Sequence, residues 1–238
     1  VQAGAHHMEV QKGGNGTLLG GVPGVAPAKV LVLGGGIVGS SALRVAVGMG
    51  ADVTVIDRSV AKLAKLEELY RGQLRTIYST AESIEDHARE ADLIIGAVLI
   101  PGASAPKLIS ADMLRLLKPR TVLVDVAIDQ GGCFETSRAT THAEPTYIVD
   151  NVVHYCVANM PGAVAQTATL ALTNATLPYI ARLASLGCRE TLLADPHFIA
   201  GLNVFKGQLT HQALAEALGT TWRQPADMVS QSAHLKSA

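Results

Sequence analysis

A run of glycines at residues 34–39 constrains the fold of this 238-residue chain more than any other feature of its sequence. The run reads GGGIVG, follows an apolar stretch at Lys29–Leu33 and precedes a helical pattern from Ile37 to Met49. In a strand–loop–helix unit of this kind, Gly34 makes the tight turn, Gly36 lets the backbone approach a pyrophosphate, and Gly39 lets the helix pack closely on the strand. The pattern therefore predicts a Rossmann-type dinucleotide-binding unit.

The acidic residue Asp57 strengthens this prediction. It ends a second apolar strand, Asp52–Ile56, about 20 residues after the glycines, where a carboxylate can accept hydrogen bonds from the adenine-side ribose. A carboxylate repels a 2′-phosphate, so NAD is favoured over NADP. Arg58 leaves an alternative open, because its cation can either tolerate that phosphate or lie along the adenine. A further alternative is an ordinary glycine turn with Asp57 as a solvated strand end.

Strands and helices alternate along the chain up to about residue 160, which predicts an α/β fold with a doubly wound parallel sheet. The further predicted strands are Leu74–Tyr78, Leu93–Ile95, Thr121–Asp125, Tyr147–Val149 and Val152–Val157. The further predicted helices of this part are Val60–Tyr70, Ser83–Ala88 and Asp112–Leu117, with a short helical piece within residues 1–12.

After Pro161 the pattern predicts helices and no strands. A long helix at Ala163–Leu186 is expected to kink or break at Pro178. Shorter helices are expected at Asp195–Gly201 and His211–Leu218, followed by a poorly ordered tail from Thr220. The predicted division is a NAD-binding Rossmann domain at 1–164 and a C-terminal helical segment at 165–238.

Loops after the other strands are expected to face the cofactor, because ligands bind outside the carboxyl ends of parallel strands. These loops contain Ser79, the stretch Val98–Gly102 and the stretch Val126–Gly132. In the last of these, Asp129 places a carboxylate beside a flexible glycine pair, near the expected place of the nicotinamide. A lone acidic loop residue is also a common turn former or cap, so both interpretations of Asp129 stay open.

Composition and charge exclude several other classes of protein. The formal net charge of −1 argues against a nucleic-acid-binding face. The longest apolar run, Leu93–Ile100, is far shorter than the roughly 20 residues that a membrane span needs. Three cysteines without a CxxC pattern favour a reduced, cytoplasmic setting. No metal site is expected, since the adjacent His6 and His7 lack a Cys or carboxylate pattern to complete one.

Four further stretches carry a resemblance to a known family. They read LGGVPGVAP at 19–27, VLIPG at 98–102, VDVAIDQGG at 124–132 and NMPGAV at 159–164. With the glycine loop, they closely resemble the NAD-dependent L-alanine dehydrogenases over essentially the whole chain. The related alternative is the NAD-binding component of proton-pumping nicotinamide nucleotide transhydrogenase. That relative has an insertion after the third strand, for which the short link from Tyr78 to Ile84 leaves no room.

The resemblance implies oxidation of L-alanine to pyruvate and ammonia with NAD as cofactor. It assigns Asp129 to the water and amine steps and Asp57 to the ribose. Gly36, Ile37 and Val38 are assigned to the phosphate loop. Further cofactor or active-site contacts are implied at Ser79, Val98, Leu99, Val126, Asn159 and Met160. Members of the family are commonly homo-oligomers, hexamers among them.

The resemblance also implies a long segment ahead of Val1 that holds the substrate, so we expect this chain to be the carboxy-terminal portion of such an enzyme. Two hypotheses stay open: an oxidoreductase to which the chain supplies the NAD site and Asp129, or an NAD-binding and assembly module without turnover. Charged residues make up only 16% of the chain, which suggests surfaces that are covered by a partner. Candidates for such contacts, or for packing against the chain's own core, are Leu170, Leu172, Leu177, Ile180 and Leu183.

Overall fold

A seven-stranded sheet forms the frame of the first of two compact units, Val1–Ala163. The structure is a computed structural model, and it describes residues 1–98 and 105–231. In chain order the strands are β1 (Lys29–Leu33), β2 (Asp52–Asp57), β3 (Leu74–Tyr78), β4 (Leu93–Gly96), β5 (Val122–Asp125), β6 (Thr146–Val149) and β7 (Val152–Tyr155). Their order in the sheet is β3-β2-β1-β4-β5-β7-β6.

All neighbouring strands are parallel except β6, which pairs antiparallel with β7. The predicted doubly wound parallel sheet is confirmed, with one antiparallel edge strand in addition. The reversal is made by Asp150 and Asn151, which adopt φ values of 45° and 64°. Two successive left-handed residues form the tight hairpin turn that suits the twist of paired strands.

The helices of this unit cover both faces of the sheet. They are α1 (Gln2–His7), α2 (Ile37–Gly48), α3 (Val60–Tyr70), α4 (Ala81–Glu90) and α5 (Ala111–Leu114). Alternate residues of β1 belong to different clusters: Val30 and Val32 are buried with Leu43 of α2, and Leu31 and Leu33 with Ile84 of α4. Burial on both faces explains why β1 is apolar throughout.

Two predicted helices have different ends in the structure. Helix α4 begins earlier than expected, at Ala81, because Thr80 and Ser83 form a reciprocal capping box. Helix α5 is a single turn, and it ends at Leu114 rather than Leu117. The chain leaves α5 through turns before Pro119, in keeping with the extended backbone that a proline imposes on its predecessor.

The second unit, Val164–Ala238, is mainly helical. Its elements are α6 (Ala165–Leu186), α7 (Cys188–Ala194), α8 (Pro196–Ile199), β8 (Val204–Phe205), β9 (Gln208–Leu209), α9 (Gln212–Ala217) and α10 (Pro225–Gln231). The expectation of no strands after Pro161 is wrong, since β8 and β9 form a hairpin around Lys206 and Gly207, which have φ values of 48° and 77°. The expected poor order from Thr220 is also wrong up to residue 231, because α10 forms and Val229 is buried.

Helix α6 continues through Pro178 without a break. Its last residue, Leu186, is followed by Gly187, whose φ of 82° is unfavourable for other residues. Helix α7 begins at the next residue. No residue of α6 is buried, and most of its large apolar side chains are exposed. Among all the described residues, no helix combines the length and the apolar character needed to cross a membrane.

Candidate functional site

The glycine loop between β1 and α2 is shaped by close backbone contacts. Gly34 has φ +100°, and a Cβ placed there would lie 2.8 Å from the Ala97 carbonyl oxygen. A Cβ at Gly39 would lie 1.8 Å from the Gly34 carbonyl oxygen. In contrast, a Cβ at Gly36 meets no atom of the described residues within 4 Å. Gly34 and Gly39 therefore serve the loop itself, and Gly36 borders open space.

The first turn of α2 points free donors into that open space. Gly36 is the N-cap and supplies no side-chain cap, and the first backbone bond of the helix runs from the Ser40 amide to the Gly36 carbonyl. Within the described residues, the amides of Ile37 and Val38 have no hydrogen-bond partner, as is usual for a first helical turn. The Ile37 side chain is 91% exposed. Free amides and the positive end of the helix dipole together favour an anion such as a phosphate.

Asp57, at the end of β2, is turned towards the glycine loop. Its Oδ2 accepts the Gly35 amide at 2.8 Å, and its Oδ1 accepts the Ser59 amide at 2.8 Å. The ammonium of Lys62 lies 3.7 Å from Oδ2. Each carboxylate oxygen keeps a further lone pair for a ligand hydroxyl. Asp57 therefore also braces the loop, a role that its spacing did not indicate.

A cavity of about 480 Å³ lies at this edge of the sheet. Five of the predicted site residues line it: Gly34, Asp57, Arg58, Ser79 and Val98. Within the described residues Arg58 is exposed and makes no side-chain hydrogen bond or ion pair, and Ser79 donates its amide to the Asp57 carbonyl at 3.1 Å. Leu99 and the rest of its loop up to residue 104 lie outside the described residues.

The same cavity has lining residues that the sequence reasoning missed: Leu33, Ile56, Lys62, Thr80, Ala81, Ile84, Pro106, Lys107 and Leu108. For Lys62 the sequence does contain a signal. This basic residue lies in the first turn of α3, only five positions after Asp57 at the end of β2, so it is expected near that carboxylate. No local signal existed for Lys107. Its ammonium donates to the carbonyls of Gly131, Gly132 and Phe134, all more than twenty positions further along the chain.

Asp129 lies on a 3₁₀ turn, Ile128–Gln130, in the loop after β5. Its side chain is exposed and has no hydrogen bond or ion pair within residues 1–98 and 105–231. The glycine pair that follows has a left-handed backbone, since Gly131 and Gly132 adopt φ values of 87° and 77°. Within the described residues, the loop thus presents an unpaired carboxylate on this turn at the carboxyl edge of the sheet.

Three further predicted residues lie outside the cavity lining, as do residues 36–39 and Asp129. Val126 is half-buried and donates its amide to the Gly96 carbonyl at 2.9 Å. Asn159 is exposed, and its carbonyl accepts a hydrogen bond from His142 Nε2 at 2.6 Å. Met160 is half-buried against the apolar cluster that contains Val30 and Val32 of β1. None of the three faces the cavity beside Asp57.

The cysteine thiols near the sheet edge are unsuited to nucleophilic chemistry. Cys133 is fully buried, and burial together with the charge of Asp125 raises the pKa of its thiol to about 12. Burial also raises the pKa of Cys156. A thiol with a raised pKa holds its proton and is a poor nucleophile. In the part of the chain that the structure describes, no group of three His, Cys, Asp or Glu residues is arranged to hold a metal ion.

Comparison with known proteins gives consistent similarities. The model of the family "Alanine dehydrogenase/PNT, C-terminal domain" matches residues 1–212. An alanine dehydrogenase from Halomonas elongata is 62% identical over 229 residues, which are 96% of this chain and 62% of that protein. The chain thus spans less than two thirds of the length of this relative.

Solved structures agree with the sequence matches. An L-alanine dehydrogenase superposes with a TM-score of 0.89 at 50% identity, over 92% of this chain and 60% of the other. A transhydrogenase from Sinorhizobium meliloti superposes with a TM-score of 0.69 at 25% identity, over 88% of this chain and 59% of the other. The TM-score and the sequence identity are both higher for the dehydrogenase than for the transhydrogenase.

Proposed function

The chain belongs to the family of alanine dehydrogenase/PNT carboxy-terminal domains, and we propose that it forms the cofactor site of an NAD-dependent enzyme that oxidises L-alanine to pyruvate and ammonia. The observation that carries the cofactor part is the open space over Gly36, bordered by the free amides of α2 and next to Asp57. The 62% identity to an alanine dehydrogenase supports the substrate.

The fold and the family imply a nicotinamide cofactor, and the residues at the carboxyl edge fit one. The amides of Ile37 and Val38 would hold the pyrophosphate over Gly36, where a side chain would take up the room. The free lone pairs of Asp57 would accept the ribose hydroxyls, and its charge disfavours a 2′-phosphate, so we assign NAD rather than NADP. The exposed Arg58 would lie along the adenine.

The proposed reaction consumes L-alanine, NAD and water and releases pyruvate, ammonium, NADH and one proton. Bound NAD would accept the hydride from the α-carbon of the substrate. The carboxylate of Asp129 would take a proton from the attacking water and return it to the departing amine, which is general base and acid work. Its exposure, and its lack of a partner among the residues that the structure describes, leave both oxygens available for that transfer.

We also propose that the protein is a cytoplasmic homo-oligomer. The exposed apolar side chains along α6, among them Leu170, Leu172, Leu177 and Ile180, support an oligomer. Large apolar surfaces of this kind are commonly covered in an assembly. Light scattering of the purified protein measures its mass, and a monomer would contradict the proposal.

The test of the proposed function is NADH formation by the whole protein with L-alanine, followed by absorbance, with D-alanine and NADP as controls. We expect NADH to form with L-alanine and NAD only. A thermal-shift assay separates the alternatives, since a ligand that binds the folded state raises the melting temperature. A rise with NAD and no turnover would favour a binding module. No rise and no turnover would contradict the cofactor site as well.

A further inference from the structure

Asp125, the last residue of β5, is a fully buried carboxylate whose hydrogen bonds reach both ends of one loop. We call residues 126–132 the Asp129 loop. At the start of this loop, Oδ1 of Asp125 accepts the Ala127 amide at 3.1 Å. Just beyond its end, Oδ2 accepts the amides of Cys133 at 2.8 Å and Phe134 at 3.3 Å, together with the Ser137 hydroxyl.

In the part of the chain that the structure describes, these hydrogen-bond donors alone compensate the charge of Asp125. Within the described residues it forms no ion pair, in contrast to Asp92, the other buried aspartate, which pairs with Lys118 at 3.0 Å. Burial raises the pKa of Asp125, whereas the four donors lower it. A buried carboxylate without a cation is costly for stability, and an apolar residue would avoid that cost. A role in fixing geometry accounts for the carboxylate.

The loop backbone is shaped to close directly on this carboxylate. Gly132 has φ +77°, and a Cβ placed there would lie 2.5 Å from Oδ2 of Asp125 and 2.8 Å from Cβ of Ser137. On the other side, the Lys107 ammonium donates to the carbonyls of Gly131 and Gly132. The Asp125 carboxylate therefore holds amide groups at the two ends of the loop. The Lys107 ammonium holds the carbonyl groups of its glycine pair.

Asp129 itself depends on this backbone for its position. It lies on the 3₁₀ turn in the middle of the loop, and its side chain has no hydrogen bond or ion pair of its own in the described part of the chain. The position of this carboxylate therefore follows from the loop backbone, which Asp125 holds at both ends and Lys107 holds at the glycine pair. We propose that Asp125 is a positioning residue, which holds both ends of the Asp129 loop and thereby fixes the Asp129 carboxylate for the proton transfers. This proposal rests on the proposed function.

The test compares Asp125→Asn with Asp92→Asn in the whole protein. In Asp125→Asn, the new side-chain amide would have to turn an N–H group towards one of the present donors, so the loop should shift with little change in volume. We expect kcat with L-alanine to fall about 100-fold, since a misplacement of about 1 Å can cost that much. The Kd of NAD and the KM of L-alanine should change less than about threefold, as expected when only transition-state stabilisation is lost.

The control variant Asp92→Asn removes a buried carboxylate at the opposite edge of the sheet. We expect it to lower the melting temperature while kcat stays within about twofold of the parent value. A purely structural role for Asp125 would make the two variants alike. An Asp125→Asn protein that is folded and keeps its kcat would overturn the proposal. If that variant does not fold, Ser137→Ala, which removes one donor only, should lower kcat about threefold at unchanged KM.

Amide hydrogen exchange keeps this proposal separate from the proposed function. We expect the amides of residues 126–134 to exchange faster in Asp125→Asn than in the parent, with rates elsewhere unchanged. If the parent reduces no NAD, the proposed function fails, and exchange alone decides about Asp125. Unchanged exchange at the Cys133 and Phe134 amides would then overturn the positioning role.

Discussion

The two edges of the sheet differ in how their polar groups are partnered. At the amino edge, the buried Asp92 accepts the Lys29 amide at 2.9 Å and the Lys118 ammonium at 3.0 Å. Nearby, Arg75 pairs with Asp52 at 2.7 Å. Hydrogen bonds and ion pairs within the chain satisfy these groups. These contacts stabilise the fold, and the groups need no ligand as a partner.

At the carboxyl edge, several polar groups lack such partners within the described residues. The carboxylate of Asp129, the guanidinium of Arg58 and the first amides of α2 are free. Because these groups are exposed, they are available to a ligand. The difference supports the carboxyl edge as the proposed cofactor site, because its donors and acceptors are available to a ligand.

The largest effect is expected for Asp129→Ala in the whole protein. Loss of the general acid and base should lower kcat by about 10²- to 10⁴-fold, the usual range for such groups. The Kd of NAD should stay within about threefold, because the phosphate and ribose contacts remain. The matched control is Asp112→Ala, which removes an exposed carboxylate of α5. Equal turnover in the two variants would rule out the proposed role of Asp129.

Alanine substitutions at Gly36 and Gly39 separate binding from folding. The Cβ of Gly39→Ala would meet the Gly34 carbonyl oxygen at 1.8 Å, so we expect about 1–3 kcal/mol of destabilisation from overpacking. Gly36→Ala meets open space and should unfold like the parent, yet bind NAD about tenfold more weakly, a loss of about 1.4 kcal/mol.

The control for this pair is Gly48→Ala, the last residue of α2, where a Cβ also meets nothing within 4 Å. Urea unfolding and calorimetry with NAD measure the three proteins. Parent-like NAD affinity in Gly36→Ala would contradict the proposed place of the pyrophosphate.

A comparable loss of NAD affinity is expected for Asp57→Ala. The variant loses the acceptor for the ribose and the brace on the Gly35 amide, so NAD should bind about tenfold more weakly, in line with hydrogen bonds to charged groups. Discrimination against NADP should relax at the same time. Asp52→Ala at the amino edge serves as control and should leave both affinities unchanged. Equal affinities for NAD and NADP in the parent would show that Arg58 dominates instead.

The smallest effect concerns His154 on β7, which is fully buried. Its Nδ1 faces the Val152 carbonyl at 3.1 Å and therefore carries the proton, so Nε2 accepts the Thr136 hydroxyl at 2.8 Å. Burial first, and then the charge of Arg138, lower its pKa below 6.5. The unfolded state binds a proton more readily, so stability should fall as pH drops below 6.5, by at most about 1.4 kcal/mol per pH unit for this group.

Urea unfolding between pH 7 and pH 5 measures this dependence. His154→Asn should flatten it relative to the parent, whereas His142→Asn, at an exposed position, should leave it unchanged. The same slope in all three proteins would contradict the assignment to His154.

The sequence predicts those features that depend on residues close together in the chain. The strand before Gly34, the loop up to Gly39 and the acidic residue at Asp57 follow from short-range patterns, and the structure places Gly34 and Asp57 at one cavity. The missed features depend on contacts between distant residues. The bonds from Lys107 to Gly131 and Gly132 form only after the sheet has been assembled.

Two features show where local preferences leave the outcome open. The glycine pair 131–132 has a left-handed backbone, which allows the loop to approach Asp125 closely. The predicted break of α6 at Pro178 is wrong, since the helix passes through that residue. Positive φ values and helix continuation are outcomes of packing, and single-residue preferences only bias them.

The central claim, that the carboxyl edge of the sheet is the cofactor site, is tested most directly by amide hydrogen exchange of the chain with and without saturating NAD. We predict slower exchange at the Ile37 and Val38 amides and around Ser79, with no change around Asp92 and Lys118 at the opposite edge. Slower exchange at the amino edge, or no change at the amides of Ile37 and Val38, would contradict the claim.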